Sequence, residues 1–290
     1  MFAIPDRPAF TVPIAHGRSL TLGDRTLVMG ILNVTPDSFA GGVMDAEAAL
    51  SLALRMEEAG ADLIDIGGES TRPGADEVSE ADELARILPV IERLEGRLRV
   101  PLSVDTSKAG VARAALAAGA CIVNDISGLG YDPDLGGVVA EAGAALVLMH
   151  MRGRPRDMYR EAHYTDVVAE VAAELEQALA RAQSAGVARD RVVLDPGLGF
   201  AKRAEHSYAV LAGLPRFRAL GRPLLVGPSR KSFLAAAAGP LAPADRDWAT
   251  VSAVTASVLL GAHIVRVHEV APMVQAVRVA DAIRQGAQAS

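Results

Sequence analysis

The feature that most constrains the fold of this chain is a regular alternation of short apolar segments with longer helical stretches. Eight apolar, β-rich segments are predicted to be strands, at residues 27–33, 63–68, 102–105, 122–125, 145–150, 192–196, 224–229 and 264–268. Strands that alternate with helices form a parallel sheet, because each parallel connection needs a crossover. Eight such units predict an α/β fold of one closed (β/α)8 barrel, the TIM barrel, for which about 250 residues is typical.

The segments between these strands support the same fold. Residues 45–59 and 166–185 are rich in alanine, leucine and glutamate at helical spacing. Glycine provides the left-handed backbone that ends a helix. Several of the predicted helices end at such a glycine, namely at Gly60, Gly119, Gly143, Gly186 and Gly261. A doubly wound open sheet is the alternative fold, but no GxGxxG fingerprint follows the first predicted strand.

The residues before the first barrel strand predict a separate element. Residues 10–25 have the pattern of a β-hairpin, with turn signals at His16-Gly17 and Gly23-Asp24. We therefore expect an N-terminal hairpin, residues 1–26, that covers the bottom of a barrel formed by residues 27–290.

Composition and charge exclude several classes of partner. The net charge is −6 and the basic residues form no block, so neither nucleic acid nor a membrane is expected to bind. The most hydrophobic region, residues 251–267, contains Gly261 and ends near Arg266, which favours a buried helix and strand over a membrane span. The single cysteine, Cys121, excludes an internal disulfide and is expected to be a buried bystander. Without a visible signal peptide, the expected location is cytoplasmic.

Nearly every predicted strand ends in polar residues, although its interior is apolar. The carboxyl ends of barrel strands carry the active sites of such enzymes. Side chains alternate along a strand, so Arg266 and His268 face away from Val265 and Val267 and into the barrel mouth. The complete set of polar end residues is Asn33, Asp65, Asp105, Asn124, Asp125, His150, Asp195, Ser229, Arg266 and His268.

Each of these residues also has a purely structural explanation. Asp105 could cap the following helix, Asp195 could belong to a turn, and His150 is interpreted as structural. However, carboxylates, amides, a lysine and an arginine on one rim are costly to bury without a ligand or partners. Their chemistry favours a flat heterocycle with donor and acceptor edges, together with phosphate oxygens.

Eight motifs in these segments stand in a recognisable order. They are GILNVTPDSF at 30–39, DIGGESTRPG at 65–74, SVDT at 103–106, NDI at 124–126, LMHM at 148–151, LDPG at 194–197, SRK at 229–231 and RVH at 266–268. Together they resemble the dihydropteroate synthase family over nearly the whole chain. The resemblance implies a transferase of folate biosynthesis that joins 6-hydroxymethyl-7,8-dihydropterin pyrophosphate to 4-aminobenzoate, releases pyrophosphate and is a target of sulfonamides.

The resemblance also implies a role for individual residues. The edges of the pterin would be bound by Asp105, Asn124, Asp195 and Lys231. Arg266 would stack on the ring and, with His268, reach the pyrophosphate, and Asn33 would help to hold Mg²⁺ bound to that pyrophosphate. The aminobenzoate end would be formed by Thr71, Arg72 and Ser229. The implied catalytic set is Asp105, Lys231, Arg266 and His268, in a homodimer built through the C-terminal helices.

Three positions depart from the family pattern. The first loop reads SFAGG at 38–42 and lacks the aspartate of the usual SFSDGG, so we expect weaker closure over the second substrate. Ala201 replaces a usual glycine and Glu269 a common aspartate, and both changes look conservative.

Two alternative functions remain open. One is a methyltetrahydrofolate:corrinoid methyltransferase module, which shares the barrel but has no need of the motifs at 229–231 and 70–73. The other is a homologue that binds pterin without synthase activity.

Overall fold

The N-terminal part of the protein forms an antiparallel hairpin. The computed structural model describes residues 4–35, 46–72 and 74–288. Strand β1 (Phe10–Pro13) pairs with β2 (Ser19–Leu22). The turn between them uses left-handed backbone at His16 and Gly17, with φ of 59° and 69°, which confirms the predicted hairpin.

Eight parallel strands follow and form the barrel. They are β3 (Leu27–Asn33), β4 (Leu63–Gly67), β5 (Leu102–Asp105), β6 (Ile122–Asp125), β7 (Ala145–Met149), β8 (Val192–Asp195), β9 (Leu225–Val226) and β10 (Ile264–Val267). Their order is β8-β7-β6-β5-β4-β3-β10-β9. A parallel bridge from Leu194 to Leu224 joins β8 to the residue before β9 and closes the ring. The predicted TIM barrel is confirmed.

The strands end slightly earlier than the sequence pattern predicts. The predicted segment 224–229 contains a strand of two residues, β9, and β10 ends at Val267 rather than at His268. The polar residues at these ends leave the ladder because their backbone turns into the loops at the barrel mouth. The site residues therefore lie at the strand ends and in the first loop positions beyond them.

Helices connect the strands. In the described ranges they are α1 (Ala46–Glu58), α2 (Glu80–Leu94), α3 (Ala109–Ala117), α4 (Leu135–Glu141), α5 (Val167–Ser184), α6 (Ala204–Ala212), α7 (Ser232–Ala238), α8 (Asp247–Leu259) and α9 (Val270–Gln288). The five glycines predicted to end helices all have positive φ, between 59° and 114°. Asp166 caps the N-terminus of α5, because its carboxylate accepts from the backbone amides of Val168 and Ala169.

The apolar core lies in the barrel wall and between the wall and the helices. Strand residues such as Leu63, Ile64 and Ile66 are completely buried. Cys121 is buried as well, as expected. The most hydrophobic stretch of the sequence forms α8, a turn at Gly261 and β10, and no described helix is long and apolar enough to cross a membrane.

The hairpin packs on the N-terminal ends of the barrel strands. The amide of Ala15 donates to the carbonyl of Cys121 (3.2 Å), and the ring of Phe10 meets that of His263 edge-on, 5.3 Å between centroids. Cys121 and His263 directly precede β6 and β10. These contacts are those of a cover at the bottom of the barrel; the domain boundary at residue 26 stays a prediction.

A buried carboxylate fastens the last helix to the start of the barrel. Asp281 of α9 accepts from the amide (2.7 Å) and hydroxyl (3.0 Å) of Thr26 and pairs with Arg7 (2.9 Å). The Arg7 and Asp281 side chains are only 3% and 9% exposed. Breaking such a buried pair leaves an uncompensated charge and orphaned donors.

We expect Asp281→Ala to lower the free energy of unfolding by about 3–5 kcal/mol, the range for a broken buried ion pair. Chemical denaturation measures this. The control is Asp134→Ala, because Asp134 is exposed and its side chain makes no capping bond to α4; its effect should stay within about 0.5 kcal/mol. Equal effects of the two variants would contradict the anchoring role.

Candidate active site

The carboxyl ends of four barrel strands bring charged side chains into direct contact. Arg266 on β10 donates from Nε to Oδ2 of Asp65 on β4 (2.6 Å) and from Nη2 to Oδ2 of Asp105 on β5 (2.6 Å). Asn124 on β6 donates from Nδ2 to the same Asp65 oxygen (2.9 Å). The predicted site residues Asp105, Asn124 and Arg266 therefore form one cluster in the barrel mouth.

This cluster is strongly desolvated. The side chains of Asp65, Asp105 and Arg266 are 0%, 11% and 19% exposed. Burial raises the pKa of Asp105 to about 7, against the opposing attraction of Arg266, and the negative charge of Asp65 adds to the rise. The alternative that Asp105 caps the next helix is wrong, because α3 begins after Lys108, with no side-chain capping bond.

A second charged pair faces this cluster. Burial raises the pKa of Asp195, at the end of β8, and the charge of Lys231 opposes that rise. Burial likewise lowers the pKa of Lys231 to about 8 against the attraction of Asp195. Asp195 also accepts from the amide of Gly197 (2.8 Å), so it shapes the turn and belongs to the site at once. The Lys231 ammonium lies 4.4 Å from the ring centroid of Phe200.

Ser229 and His268 form a hydrogen-bonded pair on the same rim. The Ser229 hydroxyl accepts from the His268 amide (3.1 Å) and lies 2.9 Å from Nδ1 of the imidazole. Burial lowers the pKa of His268 to about 3, helped by the positive charges of Arg266, Arg230 and Arg72. Such a pKa favours a neutral ring, and an Nδ1 that accepts from the hydroxyl would leave the ring proton on Nε2, available to a ligand.

His150 and Lys202 form a buried network behind the rim. The imidazole bonds to Glu174 through Nε2 (2.9 Å) and to the Lys202 ammonium through Nδ1 (2.7 Å). Lys202 is 1% exposed and donates also to the carbonyl of Phe200 (3.0 Å). Burial lowers the pKa of Lys202 well below its usual value. These partners support the structural interpretation of His150.

Alanine in place of glycine at the neighbouring position 201 is a less conservative change than the sequence suggests. Its φ of 46° lies in the left-handed region, where glycine avoids the steric penalty that a Cβ carries. The Lys202 bonds and the bond from the Tyr164 hydroxyl to the Ala201 carbonyl (3.0 Å) hold this backbone in place.

The remaining predicted site residues are more exposed to solvent. Asn33 is half-buried at the end of β3, Thr71 is half-buried in the loop after β4, and Arg72 in that loop is exposed. A cavity of about 110 Å³ extends outward from Asp105 past Thr71 to Arg154. The shortened first loop at 38–42 lies outside the described residues, so the expectation about its closure stays a prediction.

Sequence reasoning missed two parts of this arrangement. Asp65 was noted as a strand end but given no role, although a lone carboxylate between Ile64 and Ile66 in a buried strand is a detectable signal. The second part is the ion cluster beside the mouth, in which Lys108 bonds Glu69 and the fully buried Glu83. Nothing in its sequence spacing indicates that these three side chains meet.

The barrel and its rim define an enzyme-type site for a polar, flat ligand, and comparisons with known proteins specify the class. Residues 29–268 match the sequence profile of the pterin binding enzyme family. A dihydropteroate synthase of Synechocystis sp. is 45% identical over 277 residues, 94% of this chain and 96% of the relative.

Solved structures agree with that match. The Xanthomonas albilineans dihydropteroate synthase with 4-aminobenzoic acid superposes with a TM-score of 0.87 at 46% identity, covering 94% of this chain and 99% of the other. The Yersinia pestis dihydropteroate synthase in complex with a sulfonamide drug gives 0.88 at 44%, covering 93% and 98%. The chain belongs to the pterin-binding enzyme family and, within it, to the dihydropteroate synthases, which are transferases. The resemblance is confirmed and the methyltransferase alternative is not supported.

We expect the ring of His268 to stay neutral from about pH 8 down to about pH 5, because burial and three nearby arginines disfavour its charged form. Long-range ¹⁵N NMR should show the Nε2–H tautomer, held by Ser229. In Ser229→Ala the tautomer preference should weaken, whereas Ser107→Ala, elsewhere on the rim, should leave it unchanged. A protonation midpoint near 6 would contradict this description.

Proposed function

We propose that the chain condenses 6-hydroxymethyl-7,8-dihydropterin pyrophosphate with 4-aminobenzoate to give 7,8-dihydropteroate and pyrophosphate, in folate biosynthesis. The observation behind this proposal is a set of desolvated groups at the barrel mouth: the oppositely charged Asp105, Asp195, Lys231 and Arg266, together with the neutral amide of Asn124. Such a set is costly in an empty protein and is complementary to a ligand with alternating donors and acceptors.

The acceptors and donors at the barrel mouth match those along the edge of a pterin. The carboxylate of Asp195 can accept two parallel hydrogen bonds, from a ring N–H and an exocyclic amine. Lys231 and the amide of Asn124 supply donors for the acceptor edge of the heterocycle. Asp195 and Asn124 are buried and Lys231 is half-buried, so little water competes for these groups and each group left unmatched by a wrong ligand is penalised.

The departure of pyrophosphate is helped by groups on β10 and just beyond it. Arg266 is positively charged and the Nε2–H of His268 is a neutral donor, so both can bind the oxygens that gain negative charge. The C–O bond breaks with its electron pair leaving on oxygen, and the resulting pterin cation is stabilised by ionised Asp105. The aromatic amine then forms the C–N bond and releases its proton to solvent, so no protein nucleophile is needed.

The second substrate is placed on the outer side of the pterin. Thr71 and Arg72 lie in the loop after β4, and Ser229 lies after β9. Arg72 is near enough to His268 to lower its pKa, so one cationic side chain lies on this side of the site and can attract an aromatic carboxylate. The related X. albilineans enzyme was solved with 4-aminobenzoic acid and the Y. pestis enzyme with a sulfonamide drug. These ligands support 4-aminobenzoate as the second substrate, and we expect sulfonamides to inhibit competitively.

The proposal includes Mg²⁺ as cofactor. In the described ranges no group of three His, Cys, Asp or Glu side chains could hold a metal ion. Mg²⁺ nevertheless fits, because it is commonly held by one or two protein oxygens with substrate phosphates and water. Asn33 offers a side-chain amide oxygen at the end of β3, where the residue is half-buried. When bound, the ion would neutralise charge on pyrophosphate.

A cytoplasmic homodimer is the proposed assembly. Val279 and Ile283, one helical turn apart on α9, are 61% and 48% exposed, and Trp248 at the start of α8 is 84% exposed. Exposed apolar side chains on neighbouring helices are typical of contact surfaces between protein copies. Helices α8 and α9 pack against each other, so they can present one surface.

The direct test of the function is a synthase assay. Purified protein with pterin pyrophosphate, 4-aminobenzoate and Mg²⁺ should form 7,8-dihydropteroate, and a sulfonamide should compete with 4-aminobenzoate. Pterin binding without product would favour the alternative of an inactive homologue.

We expect Asp195→Asn to weaken pterin binding by about 2–5 kcal/mol, because the amide sets a donor against a ring donor in a buried charged pair. Calorimetry with a pterin ligand measures it. Asp190→Asn is the control, since Asp190 is exposed just before β8. Unchanged affinity in folded Asp195→Asn would refute the assignment.

We expect EDTA to abolish turnover and Asn33→Ala to raise the Mg²⁺ concentration needed for half-maximal rate. Asn33→Asp keeps an oxygen ligand and should need no more Mg²⁺ than the wild type. Full activity without divalent ions, or an unaltered Mg²⁺ profile in Asn33→Ala, would exclude the proposed site.

We expect light scattering at micromolar concentration to give twice the mass of one chain. Val279→Glu combined with Ile283→Glu should give a monomer, because charges would be buried in the contact. Gln177→Glu on the exposed face of α5 should leave the dimer intact. A monomeric wild type would refute the assembly.

A further inference from the structure

Asp65 touches two residues of the proposed pterin site without having a role of its own in it. Its side chain is completely buried, and its Oδ2 accepts from Nε of Arg266 (2.6 Å) and Nδ2 of Asn124 (2.9 Å). A buried ion pair contributes little net stability compared with apolar residues of the same volume. Stability alone therefore does not account for Asp65.

The guanidinium of Arg266 divides its donors between two carboxylates. Nε and Nη2, which lie on one edge of the planar group, reach Asp65 and Asp105 respectively. The second oxygen of Asp65, Oδ1, is buried and accepts no hydrogen bond from any residue in the described ranges. Asp65 thus presents one occupied and one free acceptor to the same arginine.

We propose that Asp65 is the positioning residue of Arg266, and that its free oxygen accepts Nη2 when a ligand engages Asp105. This inference rests on the proposed function. In the ligand-free site Arg266 is shared by two carboxylates. When pterin takes the Asp105 carboxylate, Nη2 turns to Oδ1 of Asp65 and forms a two-bond pair along one edge of the guanidinium. Arg266 then stays oriented while pyrophosphate departs.

The charges around Asp105 provide a readout that a purely structural role would not change. Asp105 is faced by Arg266 from β10, Lys231 after β9, Asp65 from β4, Glu83 from α2 and Asp125 from β6. The negative charge of Asp65 raises the pKa of Asp105, which burial already places near 7. Removing that charge lowers this pKa, so Asp105 remains ionised at lower pH.

The test is Asp65→Asn, which preserves shape and removes the charge. We expect kcat to fall on the order of 100-fold, as for a displaced catalytic group, while KM for pterin pyrophosphate changes less than about threefold. The acid limb of kcat/KM should move to lower pH. Asp62→Asn, which breaks a pair with Arg25 at the opposite end of β4, is the control and should change neither quantity. A wild-type kcat and pH profile in Asp65→Asn, or an equal loss in Asp62→Asn, overturns the proposal.

A double-mutant cycle tests whether Asp65 acts through Arg266. In an Arg266→Lys background, which lacks the Nε donor, Asp65→Asn should reduce kcat by less than about threefold more, because coupled residues are not additive. Losses that multiply independently overturn the proposal.

Asp65→Glu is the variant to measure if Asp65→Asn does not fold. It keeps the charge but displaces the carboxylate, so kcat should fall while the acid limb stays in place; a wild-type kcat overturns the proposal. A wild-type protein without synthase activity would contradict both the proposed function and this inference. An active wild type with an unaffected Asp65→Asn enzyme defeats the inference alone.

Discussion

The structure of the site depends on one arginine shared by two buried carboxylates. Arg266 joins Asp65 on β4 to Asp105 on β5 across the barrel mouth, with both bonds at 2.6 Å. The barrel makes this contact possible, because closing the sheet places β10 beside β3 and brings the chain's last strand within reach of its early ones. The charges compensate one another only in part, since burial still raises the pKa of Asp105 to about 7.

The second charged pair, Asp195 and Lys231, is likewise desolvated without full compensation of its charges. Asp195 is the last residue of β8 and Lys231 lies in the short segment after β9. Burial shifts the pKa of each toward its neutral form. Glycines make these segments fit: a Cβ on Gly197 would lie 2.1 Å from the His150 carbonyl oxygen, which only a glycine avoids. The barrel thereby supplies stability in its wall and leaves the mouth electrostatically unsatisfied, which is how a ligand gains binding energy.

Much of this arrangement could be predicted from the sequence because its signals are local. Strand positions follow from apolar runs, and helix ends follow from glycines such as Gly60 and Gly119, whose left-handed backbone is found as expected. The partners of Asp65 and Lys202 could not be predicted in this way. These contacts depend on which side chains meet across the closed barrel, and the spacing of residues along the sequence does not indicate which strand ends face each other. The short length of β9 could not be predicted for the same reason, because its hydrogen-bonded ladder depends on β8 and β10, which lie on either side of it in the barrel.

The rim charges are retained for a ligand at the expense of stability. Because the pKa of Asp105 is raised on folding, its ionisation lowers the stability of the empty protein as pH rises from about 4 through about 7. The most direct measurement is chemical denaturation of wild type and Asp105→Asn at pH 8, with and without 7,8-dihydropteroate. We expect the empty variant to be at least as stable as the wild type and to lose the stabilisation that the ligand provides. A less stable empty variant that keeps the full ligand-induced stabilisation would contradict it.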